Sequence, residues 1–272
     1  MSSILEQIVE KTREDLSRRK REVTFRDLES LEQYEKTRLG FADALRGEEI
    51  SIIAEVKKAS PSKGVIREDF DPLKIAAGYL DGGASAISVL TDVPFFQGDL
   101  KYLNEISKEV PIPLLRKDFI VEPYQVKEAR AYGADAVLLI ATVTSGSQLE
   151  ELLHASREFG LDALVECYSL EEVEMLNWSL VGLFGVNNRD LNTFEVDLHR
   201  GVELLNLSPE KTVRVSESGL SSPKDLLLLH RNGIQAALIG EYFMRQPSPE
   251  DAVKRLLDGY RGLLETEDAQ AG

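Results

Sequence analysis

From residue 51 onward the chain repeats one pattern eight times: a short apolar, β-branched run, then a stretch with helical spacing. The runs are Ile52–Val56, Ala86–Leu90, Pro113–Lys117, Ala136–Ile140, Ala163–Glu166, Leu183–Asn187, Val213–Ser216 and Ala236–Ile239. Helical stretches follow near Leu73–Leu80, Leu100–Lys108, Tyr124–Tyr132, Gln148–Phe159, Leu170–Asn177, Leu198–Leu205, Pro223–Arg231 and Glu250–Leu264. Eight alternating units predict a closed parallel (β/α)8 TIM barrel. A doubly wound open sheet would carry a Gly-rich turn after its first strand, and no G-x-G-x-x-G follows any run here. The phrases YGADAVLLI and NGIQAALIG repeat the same join of helix end, glycine and strand.

The expected organisation is one domain over residues 1–272. Residues 1–50 form an N-terminal helical extension, 51–264 the barrel and 265–272 a flexible tail. In the extension Ile4, Leu5, Ile8, Val9 and Leu16 make an amphipathic stripe, and a second helical stretch falls at Phe41–Leu45. The run Arg18–Arg21 reads as a solvated face.

Composition removes several classes of function. With 47 acidic against 32 basic residues and a net charge of −15, the chain lacks the basic footprint of a nucleic-acid binder. One cysteine, Cys167, precludes a disulfide framework, and His154, His199 and His230 stand too far apart for a histidine metal site. The N-terminal stretch has no apolar signal region and no segment is long and apolar enough to span a membrane. The expectation is a cytoplasmic protein with no metal, no membrane contact and no nucleic-acid partner.

Barrel enzymes carry their chemistry at the carboxyl ends of the strands. The first strand ends AEVKKASPSKG, with Glu55 and Lys57 on one face. The third ends LLRKDFI, with Lys117 and Phe119 on one face; an inward lysine there suits a general acid or, if desolvated, a Schiff-base amine. Glu166 ends the fifth apolar run, where burial can raise a carboxyl pKa. The sixth ends FGVNNRDL, which offers the amides of Asn187 or Asn188 and the guanidinium of Arg189, suited to a carboxylate or phosphate unless it pairs with Asp190. Turns with Ser218 and Gly219 after the seventh strand, and Gly240 and the Glu241 amide after the eighth, match the phosphate site of barrel enzymes. Ser60 stands where it could complete that cage.

These motifs, together with SESGL and GEYFMR, occur in the order found in the indole-3-glycerol-phosphate synthase family, and the chain closely resembles that family over residues 4–262. The resemblance implies ring closure of 1-(2-carboxyphenylamino)-1-deoxyribulose 5-phosphate with loss of CO₂ and water, in tryptophan biosynthesis, without a cofactor. It implies Lys117 as the acid that protonates the ketone, Lys57 and Glu166 as further acid/base groups, and Glu55 as the group that tunes Lys57. Asn187 and Arg189 fall near the anthranilate carboxylate and ring, and Glu217 and Ser218 match the family's SESG. Ser60, Gly219, Gly240 and Glu241 fall at the phosphate, and Phe119, Leu138 and Leu191 at the apolar wall around the ring. Tyr242 is bulkier than the residue many members carry, and Glu241 brings a negative side chain to an anion site. The alternatives are a sugar-phosphate isomerase and a Schiff-base aldolase using Lys117.

The partner implied is a small anionic substrate bearing phosphate and carboxylate, bound by a monomer. Net charge is −3 over residues 1–119 and −12 over 120–272. Lys57, Lys58, Lys63, Arg116 and Lys117 therefore predict a positive mouth that attracts a dianion despite the acidic whole.

Overall fold

The structure, a computed structural model, describes residues 3–190, 193 and 195–271. Eight parallel strands close into a barrel: β1 (Ser51–Val56), β2 (Ala86–Leu90), β3 (Leu114–Lys117), β4 (Ala136–Ile140), β5 (Asp162–Cys167), β6 (Leu183–Asn187), β7 (Val213–Glu217) and β8 (Ala236–Ile239). Closure comes from β8 pairing with β1, Ser51 opposite Ala236. Each strand boundary lies within one residue of the sequence expectation. A small antiparallel hairpin, Ala59–Ser60 with Gly64–Val65, sits in the loop after β1.

Side-chain alternation sorts each strand into two faces. The barrel interior is filled by Ile53, Leu115, Leu138, Leu164, Leu183, Val213, Val215 and Leu238 with small Ala86, Ala136 and Ala236 among them. The opposite faces pack on the helices in a larger apolar layer. Phe41 and Leu45, both fully buried, join the interior cluster and plug the amino-terminal end of the barrel. Asp135 and Asp162 hold that plug, accepting hydrogen bonds from the Leu39 and Ala42 amides.

The extension begins with a helix over Ile4–Glu22, started by a Ser3–Glu6 capping box. Leu16 and Leu28 pack on Val121, Tyr124 and Ala131 at the outside of the barrel. The basic run is only partly a solvated face: Arg19 pairs with buried Glu128 at 2.9 Å and Lys20 with Glu122 at 2.5 Å. Sequence periodicity had no way to reveal those distant carboxylates.

Two other differences are local. The helix expected over Leu170–Asn177 ends at Glu174; Asn177 instead accepts from the Ser179 amide and hydroxyl, a side-chain turn that competes with helix. The last helix runs Pro249–Ala271, through the stretch expected to be a tail. No helix among the described residues is long and apolar enough to cross a membrane.

Candidate active site

At the carboxyl end of the barrel lies a cavity of about 440 Å³. Of the residues singled out from the sequence, Glu55, Lys57, Ser60, Lys117, Phe119, Leu138, Glu166, Asn187, Arg189, Glu217, Ser218, Gly219, Gly240 and Glu241 line it, whereas Asn188, Lys58, Lys63 and Arg116 do not and Leu191 lies outside the described residues. Most of these positions are brought together because they are inward residues near the ends of their strands or lie in the loops just beyond.

At the centre stands the Lys117 ammonium, 3.1 Å from Glu166 and 3.3 Å from Glu217. Burial works against its charge, but the carboxylates of Glu166, Glu217 and Glu55 outweigh burial and hold its pKa well above the usual lysine value. Lys117 is therefore held firmly in its charged form. Burial pushes the Glu217 carboxyl up to about 8, assisted by Glu166 and opposed by Lys117. Apart from the Lys117 ammonium, neither Glu217 side-chain oxygen has a hydrogen-bond partner. Two carboxyls thus face one ammonium, and burial favours the protonated form of Glu217.

Lys57 and Glu55 form a second pair at 2.5 Å. Burial alone would raise Glu55; Lys57 and then Lys117 hold it below the usual carboxylate range. Asn187 donates to Glu166 at 3.4 Å, and its side-chain oxygen accepts from the Arg189 amide. Of the two asparagines left open by the sequence, Asn187 lines the cavity. Asn188 is buried beneath it and donates to the Ser216 hydroxyl and the Ser218 carbonyl.

Two glycines make room for the carboxyls. A Cβ at Gly185 would stand 2.4 Å from Glu217 Oε1, and one at Gly240 2.3 Å from Glu55 Oε1. The turn after β7 has Ser218 and Gly219 successively at φ of 71° and 79°, the left-handed region that a serine adopts rarely. The Asn188 hydrogen bond to the Ser218 carbonyl holds that turn.

The positive mouth needs correcting. Arg116 is fully buried on the helix-facing side of β3 and bonded to Asp118, Glu128, Thr91 and the Gln125 carbonyl. Lys58 and Lys63 do not line the cavity. The described lining carries Lys57, Lys117, Arg189 and Arg245 against Glu55, Asp118, Glu166, Glu217 and Glu241, so its cations are matched by acids. Strand alternation places Arg116 opposite to Lys117, which the grouping by sequence position overlooked.

Sequence reasoning missed several lining residues. Ile4, Leu5 and Ile8 of the first helix reach the cavity, as do Phe96 and Arg245; Tyr242, the bulky residue noted in the sequence, lines it too. The apolar stripe of that helix was readable; its docking over the mouth was not. Phe96 and Phe119 approach with ring centroids 6.1 Å apart, forming part of an apolar wall. The carboxylate of Glu241 does not stand bare in the site: Arg189 lies 3.4 Å from one oxygen and Arg245 3.0 Å from the other.

A family model described as indole-3-glycerol phosphate synthase matches residues 5–256. A protein of that name from Salinibacter ruber is 50% identical over 93% of this chain and 95% of its own length. Another from Aliarcobacter butzleri is 45% identical over 93% and 97%. Among solved structures, a mutant tryptophan synthase alpha-subunit from Pyrococcus furiosus is similar at a TM-score of 0.57 and 12% identity, covering 80% of this chain and 99% of that one; this likeness is one of fold.

Proposed function

The chain belongs to the indole-3-glycerol phosphate synthase family, and from that premise we propose how its cavity carries the reaction. It is a decarboxylating lyase that closes the ring of 1-(2-carboxyphenylamino)-1-deoxyribulose 5-phosphate to give indole-3-glycerol phosphate. The ring carbon bearing the carboxylate attacks the ketone carbon, and the ketone oxygen takes a proton. CO₂ then leaves and the ring regains aromaticity, and loss of the hydroxyl as water completes the indole.

The observation that carries the assignment of roles is the Lys117 ammonium between two carboxyls. Its raised pKa keeps it charged, as a proton donor to the ketone oxygen must be. Glu166 stands ready to take a proton, and Lys57, oriented by Glu55, is the second donor at the dehydration stage. Asn187 aligns Glu166. Arg189 meets an anionic end of the substrate. Ser60, Gly219, Gly240 and the Glu241 amide surround the phosphate, with Glu217 and Ser218 beside the reacting centre and Phe119 and Leu138 against the aromatic ring. The same pKa direction speaks against a Schiff-base aldolase, which needs a neutral lysine.

Following indole fluorescence on addition of the carboxyphenylamino-deoxyribulose phosphate tests the reading. A rise in signal, absent without the protein, is the expected result; a folded chain that gives none refutes it.

A further inference from the structure

An acidic side chain at a site for an anionic ligand lowers affinity unless it does something else, and Glu241 stands in such a site. It is the first residue of the short helix after β8, and it points across the mouth to the loop after β6. Its Oε2 lies 3.4 Å from Arg189 and its Oε1 3.0 Å from Arg245, four residues on. All three residues line the cavity, and about a quarter of the Arg189 side chain is exposed against half of Arg245. The carboxylate therefore occupies part of the guanidinium surface that a ligand carboxylate or phosphate would take.

We propose that Glu241 is a resident counter-ion of Arg189 which an anionic oxygen group of the ligand displaces, so that the side chain sets specificity rather than holding substrate. The inference rests on the reading of Arg189 as an anion-recognising residue. Exchanging one carboxylate for another keeps Arg189 paired at every stage, and Arg245 keeps Glu241 paired after it swings away. Weakly binding stray anions lose the competition. A substrate tethered at its other end wins it, because the second contact forms at high effective concentration. The substrate carries both a carboxylate and a phosphate; the product has lost the carboxylate. Which of the two anions displaces Glu241 is therefore readable by comparing substrate with product.

Glu241→Gln keeps the backbone amide and the shape of the side chain while removing the charge. If the displaced position belongs to the carboxylate, KM falls about two- to fivefold, the size of a partly exposed ion pair, while the inhibition constants of indole-3-glycerol phosphate and of inorganic phosphate stay put. If it belongs to the phosphate, all three constants fall together. In either case the gap between variant and wild type narrows with added salt, as screening weakens the pair. A purely structural Glu241 would instead lower the melting temperature and leave the constants alone; unchanged or raised constants overturn the proposal. Arg189→Gln separates the two layers of the argument. If it raises KM while Glu241→Gln changes nothing, only the counter-ion idea falls; if it leaves KM unchanged, the reading of Arg189 falls, and the counter-ion idea with it.

Discussion

Arg116 and Lys117 are neighbours in one strand, and their surroundings could hardly differ more. Arg116 faces the helices, is fully buried, and meets Asp118, Glu128, Thr91 and a backbone carbonyl with short, complementary contacts. Through Glu128 it also reaches Arg19 of the N-terminal helix. Lys117 faces the cavity and has two carboxyls for one ammonium, one of them otherwise unbonded. A buried charge whose partners are complete serves the fold. A charge beside a cavity, next to a carboxyl that has no other partner, is the arrangement the proposed proton transfers call for. Both clusters hold a buried cation among acids; what separates them is that the carboxyls around Arg116 have their hydrogen bonds filled, while Glu217 has Lys117 alone.

Three substitutions can break or sharpen this contrast. The largest effect is expected for Lys117→Met, which should cut turnover by about 10²–10⁴-fold, the range of a lost general acid. Its circular dichroism should stay native, and full turnover in the indole assay would remove Lys117 from the reaction. Next comes Arg116→Met, which leaves buried Asp118 without its cation and Glu128 with Arg19 alone, and should cost roughly 3–5 kcal/mol of stability. Urea unfolding measures it, and a loss below about 1 kcal/mol would mean the outer cluster relaxes freely.

The third effect is a pH dependence. Because the Glu217 carboxyl is raised from an ordinary 4.5 to about 8 in the folded chain, the folded state binds more protons than the unfolded one between those values. The stability Glu217 contributes is then fully present below about 4.5 and is lost as pH rises through about 8. Relative to Glu217→Gln, the wild-type melting temperature should decline across that window. A constant difference between the two proteins would show that the Glu217 pKa is not raised in the folded chain.

Much of the site was legible because a (β/α)8 barrel turns sequence position into place. Once eight strands are recognised, the last inward residue of each must stand at one mouth, which is how Glu55, Lys117, Glu166 and Asn187 could be grouped with no structure in view, whereas Glu217 came only from the resemblance. What escaped was whatever depends on distance across the barrel. Gly240 looked like a phosphate turn; in space it also clears the room that Glu55 occupies. Gly185 went unremarked, and it does the same for Glu217. The pairing of Glu241 with Arg189 joins residues 52 positions apart, and Ile4, Leu5 and Ile8 enter the cavity only because their helix docks where it does.

The sequence alone determined the repeat, the face on which each strand residue lies and the chemical types gathered at the carboxyl ends, because these follow from local periodicity and strand alternation. The net charge of −15 belongs with them, and so does its concentration in the second half of the chain. Only the tertiary structure decided the proton affinities. Whether Lys117 is an acid or a nucleophile, which carboxyl keeps its proton and whether the mouth is positive or balanced all depend on burial and on charges a few ångströms apart. Coulombic and desolvation energies vary over that range, and sequence spacing does not resolve it.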